Sequence, residues 1–113
     1  MNDREISFEI LKKLDKDILN PKKLMIIIVL YLVGPKTMSQ LVKATGLSWG
    51  DLDTHLRKLR DRGIVELSKK ITPQGVRTVV RLTPYGVKLF LETVTQLEHV
   101  LKSLHREVQE SRY

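Results

Sequence analysis

The stretch that decides the fold is Thr37–Gly86, TMSQLVKATGLSWGDLDTHLRKLRDRGIVELSKKITPQGVRTVVRLTPYG. At its start Thr37 is placed to cap the free amides of a first helical turn. Leu41 and Val42 face inward, and Gly46 supplies the left-handed residue that ends the helix. Only Leu47 then precedes Ser48, a second N-cap, so the turn is tight. WGDLDTHLRKLRDRG repeats Leu52, Leu56 and Leu59 at i, i+4, i+7, the spacing of one helical face, and Gly63 closes it. IVELSKKI and RTVVRL follow, both rich in β-branched residues and separated by the turn-forming TPQGV, which reads as a short hairpin. Thr83 caps a further helix whose first position is Pro84, where a missing amide hydrogen costs nothing.

Upstream, LMIIIVLYLV is apolar all round, so periodicity does not separate helix from strand. Asn20-Pro21 is an N-cap with proline at the first helical position and Gly34-Pro35 is a stop, and the segment between them is too long for a typical strand, so it reads as a buried helix. Before it, DREISFEILKKLDKDIL sets Ile6, Ile10 and Leu14 at i, i+4, i+8 with Leu11 and Ile18 beside them, as an amphipathic helix would. Downstream, Val87, Phe90, Val94, Leu97, Leu101, Leu104 and Val108 alternate at spacings of 3 and 4, a heptad seam. A second copy of the chain is the most economical cover for such a stripe, with the N-terminal helix, through Ile6 and Ile10, joining the same interface. The alternative is that the helix folds back on its own domain, with Leu91 and Val100 widening the stripe into a core face.

The resulting fold class is mainly α with a small β-hairpin (α+β), a winged helix-turn-helix with N- and C-terminal dimerisation helices. Residues 1–113 form a single domain: an N-terminal helix at 1–19, a winged core at 20–82 and a C-terminal dimerisation helix at 83–113. GLSWGDLDTHLRKLRDRGIVE followed by GVRTVVRLTPYG resembles the small winged-helix regulators of the MarR/ArsR-like superfamily, especially compact single-domain archaeal ones. The resemblance implies a cytoplasmic homodimer that binds double-stranded DNA and represses transcription by blocking a promoter. It also implies a small-molecule effector in a crevice between the dimerisation helices and the winged module. The sequence carries no specific ligand motif: a crevice lined by Tyr31, Phe90 or Tyr85 would look the same as packed core, so no ligand residues are assigned.

Composition agrees with one compact domain: 113 residues, 42% hydrophobic. With no cysteine there is no disulfide framework, thiolate metal site or cysteine nucleophile, and nothing at the N-terminus resembles a signal peptide, so a reducing cytoplasm is expected. The ten-residue apolar run is far below the roughly 20 needed to span a bilayer, so no membrane is expected. Net charge is +7, unevenly spread. Residues 21–82 hold 12 basic and 4 acidic side chains, whereas residues 1–20 hold 4 and 5 and residues 83–113 hold 4 of each. A surplus confined to the winged module is the footprint of a nucleic-acid partner.

With Leu52 facing the core, Gly50, Thr54, Arg57, Lys58 and Asp61 lie on the opposite side of the second helix. The N-terminal part of a recognition helix meets base edges, so within 48–62 the candidates are Ser48, Trp49, Gly50, Asp51, Thr54, Arg57 and Lys58. Arg57 can bridge guanine O6 and N7 or hold a phosphate, and Thr54 can meet a thymine methyl. Asp51 and Asp53 would repel phosphate unless they accept from a cytosine amine or pair locally, as Asp53 and Arg57 are spaced to do. Trp49 stands where the family commonly has a polar or small residue, and packing over the domain's flank is preferred to contact with the groove wall. On the wing, 69–77, Lys69, Lys70, Gln74 and Arg77 surround the tip, where cations reach phosphates or a neighbouring minor groove.

Catalysis finds no support in a Gly-rich phosphate loop, a nucleophile elbow or a His/carboxylate motif of metalloenzyme spacing. His55, beside Leu56, is expected at the core edge. His99 and His105 are six apart, a poor spacing for one metal on a helix, so no metal and no cofactor are assigned. The competing functions are a winged-helix protein-interaction module, for which Trp49 is the one favourable feature, and a nonspecific nucleic-acid-binding protein.

Overall fold

The computed structural model describes residues 8–111. In chain order the elements are α1 (Phe8–Lys13), α2 (Pro21–Val33), β1 (Lys36–Thr37), α3 (Met38–Thr45), α4 (Trp49–Asp61), β2 (Val65–Thr72), β3 (Gly75–Leu82) and α5 (Pro84–Ser111). The three strands make one antiparallel sheet in the order β1-β3-β2. The molecule is 62 Å long and 24 by 22 Å across. The length comes from α5, whose 28 residues at 1.5 Å each reach about 42 Å.

The helix boundaries follow from side-chain caps. Asn20 accepts the Lys23 amide at 3.0 Å with Pro21 in the first turn, so the apolar run is helix. Thr37 and Gln40 form a reciprocal capping box at the start of α3, with bonds of 3.2 and 2.9 Å, and Ser48 accepts the Asp51 amide at 3.1 Å to start α4. Gly46 ends α3 at φ 72°, where a side chain would be strained. One core lies beneath these helices: Ile18, Ile26, Ile27, Leu41, Leu52, Leu56, Leu59, Ile64 and Val80 are all essentially inaccessible.

Four expectations change. The N-terminal helix ends at Lys13 rather than running to Leu19, because the Asp15 carboxylate accepts the amides of Asp17 and Ile18 at 3.0 Å each, a local turn that competes with helix. Ile10 lies in α1 and is half-buried; Ile6 lies outside the described residues. The second strand of the wing is longer than expected, starting at Gly75 rather than Arg77, and Thr72 pairs with Gly75, leaving only Pro73 and Gln74 to turn the chain. The Thr72 hydroxyl closes that turn, donating to the Gly75 carbonyl at 2.7 Å and accepting the Gln74 amide at 3.2 Å. β1 was not foreseen, since two residues give no period. Finally, the α5 seam is divided. Phe90 is buried in its own domain with its ring centroid 5.1 Å from that of Tyr31, so it is not free for a partner copy. Val94, Leu101, Leu104 and Val108 stay exposed, and Val87 and Leu97 are half-buried.

The buried line on α5 continues through Thr93, Val100 and Ser103, and α1 is among the elements in contact with α5. The two hydroxyls are satisfied within the helix, donating to Leu89 and His99 carbonyls at 2.8 and 3.0 Å, so burial costs them little. At its other end α5 is fixed by contact of backbone with backbone. A Cβ on Gly86 would lie 2.1 Å from the Ile64 carbonyl oxygen, so only glycine lets the first turn of α5 approach there. Gly86→Ala is expected to lower stability by about 1–3 kcal/mol through that overlap, read as the midpoint of urea unfolding. A variant as stable as the parent would mean that α5 can move off Ile64 freely.

Candidate nucleic-acid interface

Three elements carry the basic face: α3 and α4, set by their caps and short turn, and the β2–β3 wing. Most of the side chains expected to meet DNA are exposed: Trp49, Gly50, Thr54, Arg57 and Lys58 on α4 and Lys69, Lys70, Gln74 and Arg77 on the wing. Ser48 is exposed too, although its hydroxyl oxygen is engaged in the cap. Lys70 and Arg77 are direct cross-strand partners, and like charges placed so repel each other. The Lys69 ammonium donates to Thr78 Oγ1 at 3.0 Å and the Arg77 guanidinium to the Val76 carbonyl at 2.9 Å, so both are oriented by neutral acceptors that leave their charge uncompensated.

The acidic residues of the module behave differently, because every one of them has a cation. Asp51 takes Lys22 at 2.6 Å, Asp53 takes Arg57 at 3.0 Å, Asp61 takes Arg60 at 3.7 Å and Glu66 takes Arg81 at 3.4 Å. The hydrogen bond from Lys22 holds the Asp51 carboxyl below its ordinary range, so it is ionised and paired near neutral pH. Lys22 belongs to the first turn of α2, 29 residues away, which is why no local spacing announced the pair. Among the described residues, Lys36, Lys43, Lys58, Lys69, Lys70 and Arg77 have no carboxylate within 4.0 Å.

Trp49 does not cover a flank. It is 54% exposed and, with Met38, Ser39, Lys69, Val76, Arg77 and Thr78, lines a cleft of about 480 Å³ between the recognition helix and the wing. A second crevice, about 440 Å³, lies between α2, β3 and the start of α5 and is lined by Leu30, Tyr31, Pro35, Arg81, Leu82, Pro84 and Val87. Tyr31 thus lines a real crevice, whereas Phe90 packs behind it.

His55 sits at the core edge as expected. Burial pushes its pKa down, its Nδ1 is enclosed without a hydrogen-bond partner, and Lys22 and Lys23 nearby oppose a further positive charge. His99 and His105 lie on the exposed side of α5, and no three His, Cys, Asp or Glu side chains among the described residues gather closely enough to hold a metal ion.

Sequence reading missed one cluster that positions α4. Arg62, just past the end of that helix, donates to both oxygens of Asp15 at 2.8 Å and to Asp17 at 2.8 Å, and Asp17 also meets the buried ammonium of Lys23 at 3.3 Å. The turn after α1 is therefore tied to the far end of the recognition helix, across 45 to 47 residues of sequence. Hydrogen bonding from Arg62 holds Asp15 below the ordinary carboxyl value of 3.8, against partial burial. Burial raises Asp17, but its bonds from Arg62 and Lys23 outweigh that and leave it lowered too.

The fold and this surface define a winged-helix domain built to bind a polyanion. The chain belongs to the winged helix DNA-binding domain family, whose model matches residues 23–101. Among solved structures it is similar to a transcriptional regulator homologue from Pyrococcus horikoshii OT3, with 33% identity and a TM-score of 0.76 over 86% of this chain and 94% of that one. The fold is shared with a regulator of the MarR family from Enterococcus faecalis V583, at 23% identity and a TM-score of 0.66 over 86% and 84% of the two chains. It is also shared with Bordetella bronchiseptica BpsR, whose DNA binding is regulated by 6-hydroxynicotinic acid, at 23% identity and a TM-score of 0.64 over 84% and 72%. Comparison with curated proteins gives no match.

Both lowered carboxyls make the Arg62 cluster stabilising above pH 3.8, and that stability is lost as pH falls through 3.8 toward their native values. Arg62→Ala is expected to cost about 1–2 kcal/mol at neutral pH, a modest figure because the guanidinium is partly open to water. In chemical denaturation the gap from the parent should hold down to about pH 5 and narrow below about pH 4. An unchanged gap at about pH 3 would assign the effect to packing instead.

Proposed function

We propose that this protein is a transcriptional regulator that binds double-stranded DNA sequence-specifically as a homodimer, acting in the cytoplasm as a repressor. The observation that carries the reading is the asymmetry of charge pairing. The four acidic residues of the winged module are each matched to a cation, while Lys58 on α4 and Lys69, Lys70 and Arg77 on the wing have no carboxylate partner among the described residues. Six phosphate-ready cations in one module release counterions from a duplex and give affinity that falls with salt. Recognition helix 48–62 then lies in the major groove, where Thr54 and Arg57 meet base edges, and the wing holds the flanking backbone. Arg57 exchanges its contact with Asp53 for one with guanine; that contact is exposed and easily broken.

The dimer interface is the outward stripe of α5, Val94, Leu101, Leu104 and Val108, which are 41 to 54% exposed. Exposed Ile28 and Leu32 on α2 add apolar surface that a lone domain leaves in water. Among the described residues no helix is long and apolar enough to cross a membrane. The crevice beside Tyr31 and Arg81 adjoins the base of both α5 and the wing, which suits a small effector that alters their relation; BpsR supports that part of the reading by analogy.

Selection of bound sequences from a random duplex pool at near-physiological salt tests the whole proposal. The expected winner is a pseudo-palindrome bound about 10³-fold or more above a scrambled control, with half-site centres about 34–36 Å apart. Salt-sensitive binding without a winner would mean nonspecific nucleic-acid binding, and no binding would favour a protein-interaction module. On the selected site Arg57→Ala should cost about 1–3 kcal/mol and relax preference at one base pair. Lys70→Ala should weaken all sequences alike. Leu101→Asp with Leu104→Asp should give a monomer by light scattering; a persistent dimer would put the interface elsewhere.

A further inference from the structure

Lys22 and Asp51 are each placed against the local preference of their own helix. α2 carries Lys22 and Lys23 and no acidic residue in its first turn, although the positive end of the helix dipole lies there and disfavours cations. Lys23 is accounted for by Asp17, and Lys22 by Asp51, 29 residues further along the chain. α4 shows the matching departure. Ser48 accepts the amide of Asp51, the third residue of α4, just as Thr37 accepts that of Gln40 at the start of α3. Gln40 completes the exchange by accepting the Thr37 amide at 2.9 Å, whereas the Asp51 carboxylate turns aside and accepts from the Lys22 ammonium at 2.6 Å.

A half-exposed ion pair adds little to stability, so what this one chiefly fixes is a direction. Only Oδ2 of Asp51 is engaged; among the described residues Oδ1 makes no hydrogen bond. At about 100° per residue Asp51 lies about 60° round α4 from Thr54 and about 20° from Lys58, at the edge of the face assigned to the groove. Pairing holds the carboxyl below its ordinary range, so near neutral pH the free oxygen accepts and never donates. Lys22 offsets its charge, which removes the repulsion that a bare carboxylate would meet from phosphate. In the major groove the complementary donors are the exocyclic amines of adenine and cytosine. The adenine amine stands between two acceptors, its own N7 and the thymine O4, and both repel a carboxylate. The cytosine amine has an acceptor on one side only, the guanine O6. We propose that Lys22 is a specificity-determining positioning residue: from outside the helix-turn-helix it holds Asp51 so that Oδ1 accepts the groove-facing amine hydrogen of one cytosine in each half-site. This role rests on the sequence-specific DNA binding proposed above and adds to it a base, its reader and the residue that aims the reader. Lys22 does not touch the base; it acts through Asp51.

The test selects bound duplexes from a random pool with the full chain and with each variant in parallel, and compares base preference position by position. The parent should favour cytosine about tenfold at one position per half-site. Asp51→Ala should lose that preference and keep the others. Lys22→Met, which retains the carboxylate but frees it, should lose most of the cytosine preference and also weaken every duplex, and Lys22→Arg should restore both. Adding Lys22→Met to Asp51→Ala should change base preference no further, because nothing is left to aim. N4-methylcytosine at that position still pairs with guanine but turns a methyl group to the groove; it should cost the parent about tenfold and Asp51→Ala nothing. Both side chains are half in water, and thermal unfolding followed by circular dichroism confirms that each variant is folded. A selected site at which Asp51→Ala alters no cytosine preference would overturn the base reading. Loss in Asp51→Ala with full retention in Lys22→Met would overturn the role of Lys22. A parent that selects no sequence would instead remove the sequence-specific reading itself, and this role with it.

Discussion

The Ile64 carbonyl accepts the Thr83 amide at 3.0 Å, and the same peptide lies so close to Gly86 that no side chain fits between them. The start of β2, the end of β3 and the first turn of α5 therefore meet at one point of backbone. Thr83 reinforces it, since its hydroxyl reaches the Gly63 and Ile64 carbonyls while also accepting the Gly86 amide at 2.9 Å. Ile64 is itself held to α4, its amide donating to Leu59 at 2.9 Å. The direction of the wing, the end of the recognition helix and the direction of the long helix are set together, and a shift in any one of them is felt by the other two.

Charge is arranged around this junction in two ways. At the far end of α4 the Arg62, Asp15, Asp17 and Lys23 cluster uses its charges on one another, in a partly buried place where unpaired charge is costly. On the face carrying α3, α4 and the wing, acidic groups are paired and several cations are not, with Lys70 facing Arg77 directly across the hairpin. Mutual repulsion there is a local cost that an anionic partner relieves. The same positive sum of charges would mean much less if Asp51 and Asp53 lay free among the phosphates.

Apolar surface is arranged in a comparable way. The inner line of α5, Phe90, Thr93, Val100 and Ser103, is buried in the monomer, and the outer line a few residues away is not. Small hydroxyl side chains on the inner line bond back to their own helix and let other elements pack closely. The outer aliphatic side chains remain exposed in the single chain. Trp49, Val76 and Ile71 interrupt the basic face with exposed apolar groups, which gives that face a chemical character beyond its charge.

The sequence by itself determined the helices around the tight turn, the hairpin, the start of α5 and the confinement of positive charge to the module. Caps, left-handed glycines and i, i+4 leucines act within a few residues, so Thr37, Ser48, Gly46 and Leu52 carry their meaning locally. The exposure of the candidate residues on α4 was legible for the same reason, as was the Asp53–Arg57 pair. Tertiary structure alone decided that Lys22 neutralises Asp51, that Arg62 is bound to Asp15 and Asp17, and that Trp49 lines a cleft instead of covering a flank. It also split the heptad seam, turning Phe90 inward and leaving Leu101 outside. These outcomes depend on which distant segments come together, and the distance in sequence between Lys22 and Asp51, or between Asp15 and Arg62, leaves no periodic trace for a reader to find.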